Sequence, residues 1–169
     1  MISPLAERVW AVLKTVIFTV VVPGTVTLWI PFRWLMPRGA RPVIWGAALA
    51  GIVPLVFGAA LYFWCAWEFA WKGLGTPAPI DPPKILVARG PYRVIRNPMY
   101  VGVLSVVAGE ALLFWSRALA GYAAFVALMF HLFVVVMEEP MLRAKFGASY
   151  EEYCRTVPRW IPRLGRQGL

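Results

Sequence analysis

Three stretches that carry no formal charge decide what this chain can fold into. Residues 42–67 run for 26 positions without one, 118–137 for 20 and 15–32 for 18. About 20 mostly apolar residues suffice for a helix to cross a bilayer, so each run reads as a membrane span. A fourth stretch, 98–115, holds one charge, Glu110. A cleaved leader is the alternative for the first run, but the run is too long and no small-x-small site follows it. Pro23 predicts a kink there. The balance agrees: 60% of residues are hydrophobic and 15% charged, against roughly 25% charged in a soluble domain. The expected fold is all-α. It is a single polytopic membrane domain over 1–169 with about four transmembrane helices, 15–32, 42–67, 98–115 and 118–137. A cytoplasmic amphipathic helix over about 141–154 follows, with Leu142, Phe146, Tyr150 and Tyr153 on one face.

Charge placement orients this bundle. Thirteen of the 17 Lys and Arg fall on the side holding both ends of the chain, the 68–96 loop and the tail. The positive-inside bias puts that side in the cytoplasm, in the cell membrane if the source is bacterial. The net charge of +9 lies beside apolar runs, so anionic lipid headgroups are the expected partner and nucleic acid is not. Cys65 and Cys154 form no paired motif, and a single histidine argues against a metal site. Gly and Pro make 68–96 a loop that serves as a lid or a tether, and the lone Gly73-x-Gly75 carries no dinucleotide signal. After Val157-Pro158 the tail is expected to fray.

Chemistry concentrates at two places. Arg89, Arg93 and Arg96 precede Asn97-Pro98, a helix-start pair in which Asn caps orphan amides and Pro lacks an N–H to lose. With Tyr92 and Tyr100 beside it, that helix start suits an anionic or polar ligand, although basic residues flank any cytoplasmic helix end. Only a residue or two around Ser116-Arg117 separates the third and fourth spans, which predicts a tight antiparallel hairpin. Glu138 and Glu139 must then emerge beside Asn97. Two adjacent carboxylates at a helix C-terminus need a cationic partner, either Arg96 or Arg143, or the hydroxyl or ammonium groups of a ligand. Glu110 is expected to pair with Arg117, and His131 either lines a cavity or bonds within the bundle.

Gly90-Pro-Tyr-Arg-x-x-Arg-Asn-Pro-Met-Tyr-x-Gly102 is followed by Glu138-Glu139-Pro-x-Leu-x-x-x-Phe-Gly-x-x-Tyr-x-x-Tyr-x-x-x-Val-Pro-Arg-x-Ile-Pro162. This two-part pattern, over about residues 89–162, resembles the isoprenylcysteine carboxyl methyltransferase and phospholipid methyltransferase family of integral membrane enzymes. The resemblance implies S-adenosyl-L-methionine as methyl donor and S-adenosyl-L-homocysteine as product. It assigns Asn97, Pro98, Tyr100, Gly102, Glu138, Glu139 and Tyr150 to the cofactor. Arg96 and Glu139 are the expected catalytic pair, with Arg93, His131 and Tyr153 toward a lipophilic acceptor. Asn97 stands where the family usually has His, and it cannot stack or carry a proton near neutral pH. Three arginines favour carboxyl O-methylation of a prenylcysteine-like acceptor; the acidic pair would suit N-methylation of a phosphatidylethanolamine-type lipid. An NADPH-dependent sterol-reductase-like enzyme and a small four-helix transporter working through Glu110 are the other expectations.

Overall fold

The computed structural model describes residues 4–37, 39–43, 45–70 and 86–163, and among these the regular structure is entirely helical. Trp71 and most of the 68–96 loop lie outside the described residues. Helix α1 (Pro4–Gly24) does not end at Pro23. It widens into π turns at Thr25–Trp29 and Pro31–Leu35. Proline supplies no N–H, and the chain continues by reaching one residue further: Ile30 N–H bonds the Thr25 carbonyl, and Met36 N–H bonds that of Pro31 at 2.9 Å. Thr15, Thr19 and Thr27 donate their hydroxyls to carbonyls four residues back at 2.8, 2.7 and 2.8 Å, which hides their polarity inside the helix.

The second helical stretch starts later than position 42. Trp45 is extended, Gly46 has φ 61°, and a 3-10 turn at Gly46–Gly51 feeds α2 (Ile52–Glu68). The extended residues are used: Val43 N–H satisfies the Leu113 carbonyl at 2.8 Å, an orphan acceptor at the end of α3 (Pro98–Leu113). Helix α3 packs along α2 more extensively than any other pair. Glycines seven residues apart permit this. Gly51 faces Gly109, and Gly58 faces Gly102. A Cβ on Gly58 would sit 2.4 Å from the Gly102 carbonyl oxygen, and one on Gly109 would sit 2.6 Å from that of Gly51. Without a hydrophobic drive between helices in lipid, such close backbone approach is how they adhere.

Phe114–Ser116 link α3 to α4 (Arg117–Phe133), with Trp115 at φ 49° and Ser116 Oγ accepting the Leu119 N–H at 3.3 Å. The helix does not stop at residue 137. A π turn at Val134–Glu138 joins α4 to α5 (Glu139–Phe146), and Glu139 N–H bonds the Val134 carbonyl. Pro140 therefore sits in the first turn of α5, where its missing N–H costs little. Gly147, at φ 54°, separates α5 from α6 (Ala148–Thr156), so the single helix expected over 141–154 is two short ones.

Among the described residues, three helical stretches are long and apolar enough to cross a membrane: Val9–Leu35, Ala48–Glu68 and Arg117–Phe146. Helix α3, with 16 residues, is shorter. At 1.5 Å per residue it spans about 24 Å against a core of about 30 Å. Val20 (68% exposed), Phe63 (63%) and Val136 (63%) face outward, the burial pattern of a bundle in lipid. Tyr62, Cys65, Ala66, Tyr92, Met99 and Val103 form the inner core, and Tyr150, Tyr153 and Val157 form a second one under the tail.

The glycine contact sets a test. Overpacking a tight contact costs about 1–3 kcal/mol, so Gly58→Val is expected to lower the thermal midpoint in detergent. Gly121→Ala, where a Cβ meets nothing within 4 Å, should leave it unchanged. A Gly58→Val protein melting with the wild type would refute the close crossing.

Candidate active site

The Glu139 side chain is 4% exposed, and guanidinium groups from three segments surround it. Arg96, ahead of α3, donates from Nη1 to Oε1 at 3.0 Å. Arg143, one turn on in α5, reaches Oε2 at 3.3 Å. Arg159, in the tail, makes a two-pronged contact, Nε to Oε1 at 2.6 Å and Nη2 to Oε2 at 3.0 Å. A carboxylate this deep is tolerable only with such charge-assisted partners. Its hydrogen bond holds the Arg159 pKa above the ordinary arginine value. Both expected pairings of the acidic pair thus exist, on Glu139. The third partner comes from the stretch expected to fray.

The tail is held at further points. Arg96 N–H bonds the Pro158 carbonyl at 2.8 Å, and Asn97 Nδ2 bonds that of Arg159 at 3.2 Å. Asn97 is the N-cap residue of α3 but makes no side-chain cap bond; its amide is turned to the tail instead, a correction to the capping expectation. Tyr153 OH donates to the Tyr92 carbonyl at 2.6 Å. Burial pushes both phenols above the usual tyrosine range, so both are neutral at pH 7.

Glu138 faces the other way. Neighbouring residues on a helix point to different sides, and Tyr100 OH donates to Glu138 Oε2 at 2.6 Å. Around this bond lies a cavity of about 80 Å³, lined at one end by Arg96, Asn97, Tyr100 and Glu138 and closed by apolar side chains including Phe130 and Tyr92. The cavity has room for a small polar group beside the Tyr100–Glu138 bond. Phe130 packs on Tyr100 with ring centroids 4.7 Å apart. Arg96 Nε is buried and, among the described residues, has no hydrogen-bond partner.

Five of the residues singled out in the sequence, Tyr92, Arg96, Asn97, Tyr100 and Glu138, therefore share one cavity. Others stand elsewhere. Pro98 is buried in the first turn of α3, and Gly102 faces α2. Tyr150 is buried against Tyr153, ring centroids 6.1 Å apart, beneath the arginine cluster. Arg93 is exposed and lines no part of the cavity. His131 is exposed and accepts the Trp160 Nε1–H at 3.2 Å. Glu110 is buried, but Arg117 is exposed and the two form no ion pair; Glu110 Oε2 has no hydrogen-bond partner among the described residues. Arg159, Phe130 and Tyr62 were missed by residue-level reasoning. Only Arg159 had a signal, its place in the Val-Pro-Arg-x-Ile-Pro stretch.

The chain was compared with known proteins. A family model described as phospholipid methyltransferase matches residues 47–149. Methanethiol S-methyltransferase 2 of Bradyrhizobium diazoefficiens is 37% identical over 78 residues, covering 43% of this chain and 27% of that protein. The chain thus spans little more than a quarter of that relative. The solved structure of the eukaryotic intramembrane Ras methyltransferase, an isoprenylcysteine carboxyl methyltransferase, matches with a TM-score of 0.54 at 20% identity, over 94% of this chain and 51% of that one. At that identity the match establishes a common fold. The family segment takes in more than half of the chain, including Arg96, Tyr100, Glu138 and Glu139, and on that ground the chain belongs to the phospholipid methyltransferase family.

Proposed function

We propose that this chain is a methyltransferase that moves the methyl group of S-adenosylmethionine onto a lipophilic acceptor at the cytoplasmic face of a membrane. The acceptor we favour carries a carboxylate, as in O-methylation of a prenylcysteine. The observation that carries this reading is the cavity in which the Tyr100–Glu138 hydrogen bond meets the Arg96 side chain.

The residues present fit the cofactor. Glu138 and the Tyr100 and Phe130 rings, tilted 57° to one another, can receive a sulfonium cation, by charge and by cation–π attraction. When bound, the cofactor supplies an electrophilic methyl on a positively charged sulfur. The protein's part is positional. The Arg96 side chain takes one carboxylate oxygen of the acceptor and leaves the other to attack. Tyr100 fixes the Glu138 carboxylate, and the apolar walls keep water from competing for the methyl. No proton need leave a carboxylate acceptor. Glu139, with both oxygens bonded to arginines, is a positioning residue in this scheme because it orients Arg96.

A thiol acceptor is the second reading, favoured by the relative named for methanethiol. Glu138 would then take the thiol proton. N-methylation of an ethanolamine lipid rests on the family's description alone.

Purified protein in nanodiscs with lipid extract and methyl-labelled S-adenosylmethionine should yield a base-labile methyl ester. Label stable to base, on sulfur or nitrogen, would transfer the assignment to one of the other acceptors. Glu138→Gln should weaken S-adenosylmethionine binding at least tenfold, while Glu110→Gln leaves it within twofold; equal affinity in all three proteins would remove the cavity from the cofactor site. Breaking a buried ion pair costs about 3–5 kcal/mol, and less where partners reach solvent, as Arg143 and Arg159 do. Glu139→Gln is therefore expected to lower the thermal midpoint by several degrees and expose the tail to protease, whereas Glu152→Gln, on an exposed pair, should do neither.

A further inference from the structure

Tyr100 joins the cavity to the tail. Its hydroxyl donates to Glu138 Oε2 at 2.6 Å, so the direction of that carboxylate depends on where the ring is held. Two aromatic side chains hold it. Phe130, from α4, packs with ring centroids 4.7 Å apart, and Trp160, from the tail, makes an edge contact at 6.4 Å with the planes at 70°. Both distances fall in the range of about 4.5–7 Å where aromatic pairs attract.

Trp160 is itself fixed from two directions. Its backbone follows Arg159, whose guanidinium is pinned on Glu139 and whose carbonyl receives the Asn97 amide. Its one side-chain donor, Nε1–H, bonds His131 Nδ1 at 3.2 Å, with the ring centroids 6.2 Å apart. An imidazole that accepts at Nδ1 carries its proton on Nε2. His131 is exposed on Arg117–Phe146, a stretch apolar enough to cross a membrane, where an ionisable side chain is costly and reads as functional. It follows Phe130 directly, and successive residues of a helix point about 100° apart. Phe130 reaches Tyr100 by ring contact and His131 reaches it through the indole, so α4 supports Tyr100 twice, once directly and once by way of the tail.

We infer that His131 and Trp160 are positioning residues of the methyl-donor site: His131 fixes the indole, the indole fixes the Tyr100 ring, and the ring aims the Glu138 carboxylate at the sulfonium. This inference rests on the proposed function and deepens it. Neither residue lines the cavity, so both act through Tyr100. What they control is the direction of a negative charge, which a positively charged sulfur feels strongly and a neutral one hardly at all. S-adenosylmethionine carries that charge and S-adenosylhomocysteine does not. The pair therefore helps the site prefer the charged substrate over the neutral product.

The test measures the affinity of both ligands by calorimetry, on the full chain in nanodiscs. His131→Leu should weaken S-adenosylmethionine binding at least fivefold and leave S-adenosylhomocysteine within twofold. His131→Gln, whose side-chain carbonyl can take the indole N–H, should keep both within twofold of wild type. Trp160→Phe keeps a ring beside Tyr100 but has no N–H to give. It should repeat the His131→Leu pattern at threefold or more, and it decides the matter if His131→Leu does not fold. In magnetic resonance spectra of protein with isotope-labelled tryptophan, the Trp160 indole signal is assigned by its loss in Trp160→Phe. It should move upfield in His131→Leu and shift in wild type when S-adenosylmethionine is added. Equal weakening of both ligands would reduce the pair to structural support, and unchanged affinity for both would remove it from the site; either result overturns the inference. Binding of neither ligand by wild type would instead overturn the underlying methyltransferase reading.

Discussion

The Glu139 carboxylate and its three guanidinium partners are the contact on which the rest of this structure depends. Arg96 precedes α3, Arg143 belongs to α5 and Arg159 to the tail, so one buried anion gathers three segments far apart in sequence. Each alone would be a poor arrangement, since a buried carboxylate without full compensation destabilises a fold. Together they neutralise it and give the tail a fixed course. That course in turn supplies the carbonyls that receive Arg96 N–H and the Asn97 side chain. The start of α3 is thus set from outside the helix.

Two consecutive glutamates divide their work because neighbouring residues on a helix face different sides. The π turn at Val134–Glu138 shifts the register just where an ordinary helix would meet Pro140. Glu139 turns to the arginines and Glu138 to Tyr100. The same device recurs in α1, where π turns follow Pro23 and include Pro31. One of them exposes the Val26 carbonyl, which accepts the Tyr122 OH at 3.0 Å. Prolines thus mark where these helices loosen, and the candidate cavity lies beside the loosened turns. The glycine crossing of α2 and α3 provides the rigid counterpart, with backbones too close to slide.

Much of this was legible in the sequence. Uncharged runs announce membrane helices because lipid penalises charge, and the short link before Arg117 brings Asn97 and Glu138 together by simple length. Arg96 was one of the partners open to the acidic pair, whereas the Tyr100–Glu138 bond is a product of packing. Helix bounds were harder: Pro23 reads as a kink and Pro140 as a boundary, while π turns widen the helix after Pro23 and carry α4 on into α5. Asn97 reads as a cap on local grounds, and only tertiary contact with Arg159 redirects it. Arg159 itself looks like any basic tail residue. Its role depends on a chain reversal that no local pattern encodes. Trp160 is one of nine tryptophans, so its pairing with His131, 29 positions back, is a property of packing alone.

The central claim is that the cofactor's reactive end lies where the start of α3 meets the end of the π turn after α4. Ultraviolet cross-linking of methyl-labelled S-adenosylmethionine to the protein in nanodiscs, followed by peptide mapping, addresses this directly. The account predicts label on the peptides holding Tyr100 or Phe130, competed away by S-adenosylhomocysteine. Competed label confined to the opposite end of the bundle, near Trp115 and Arg117, would contradict it.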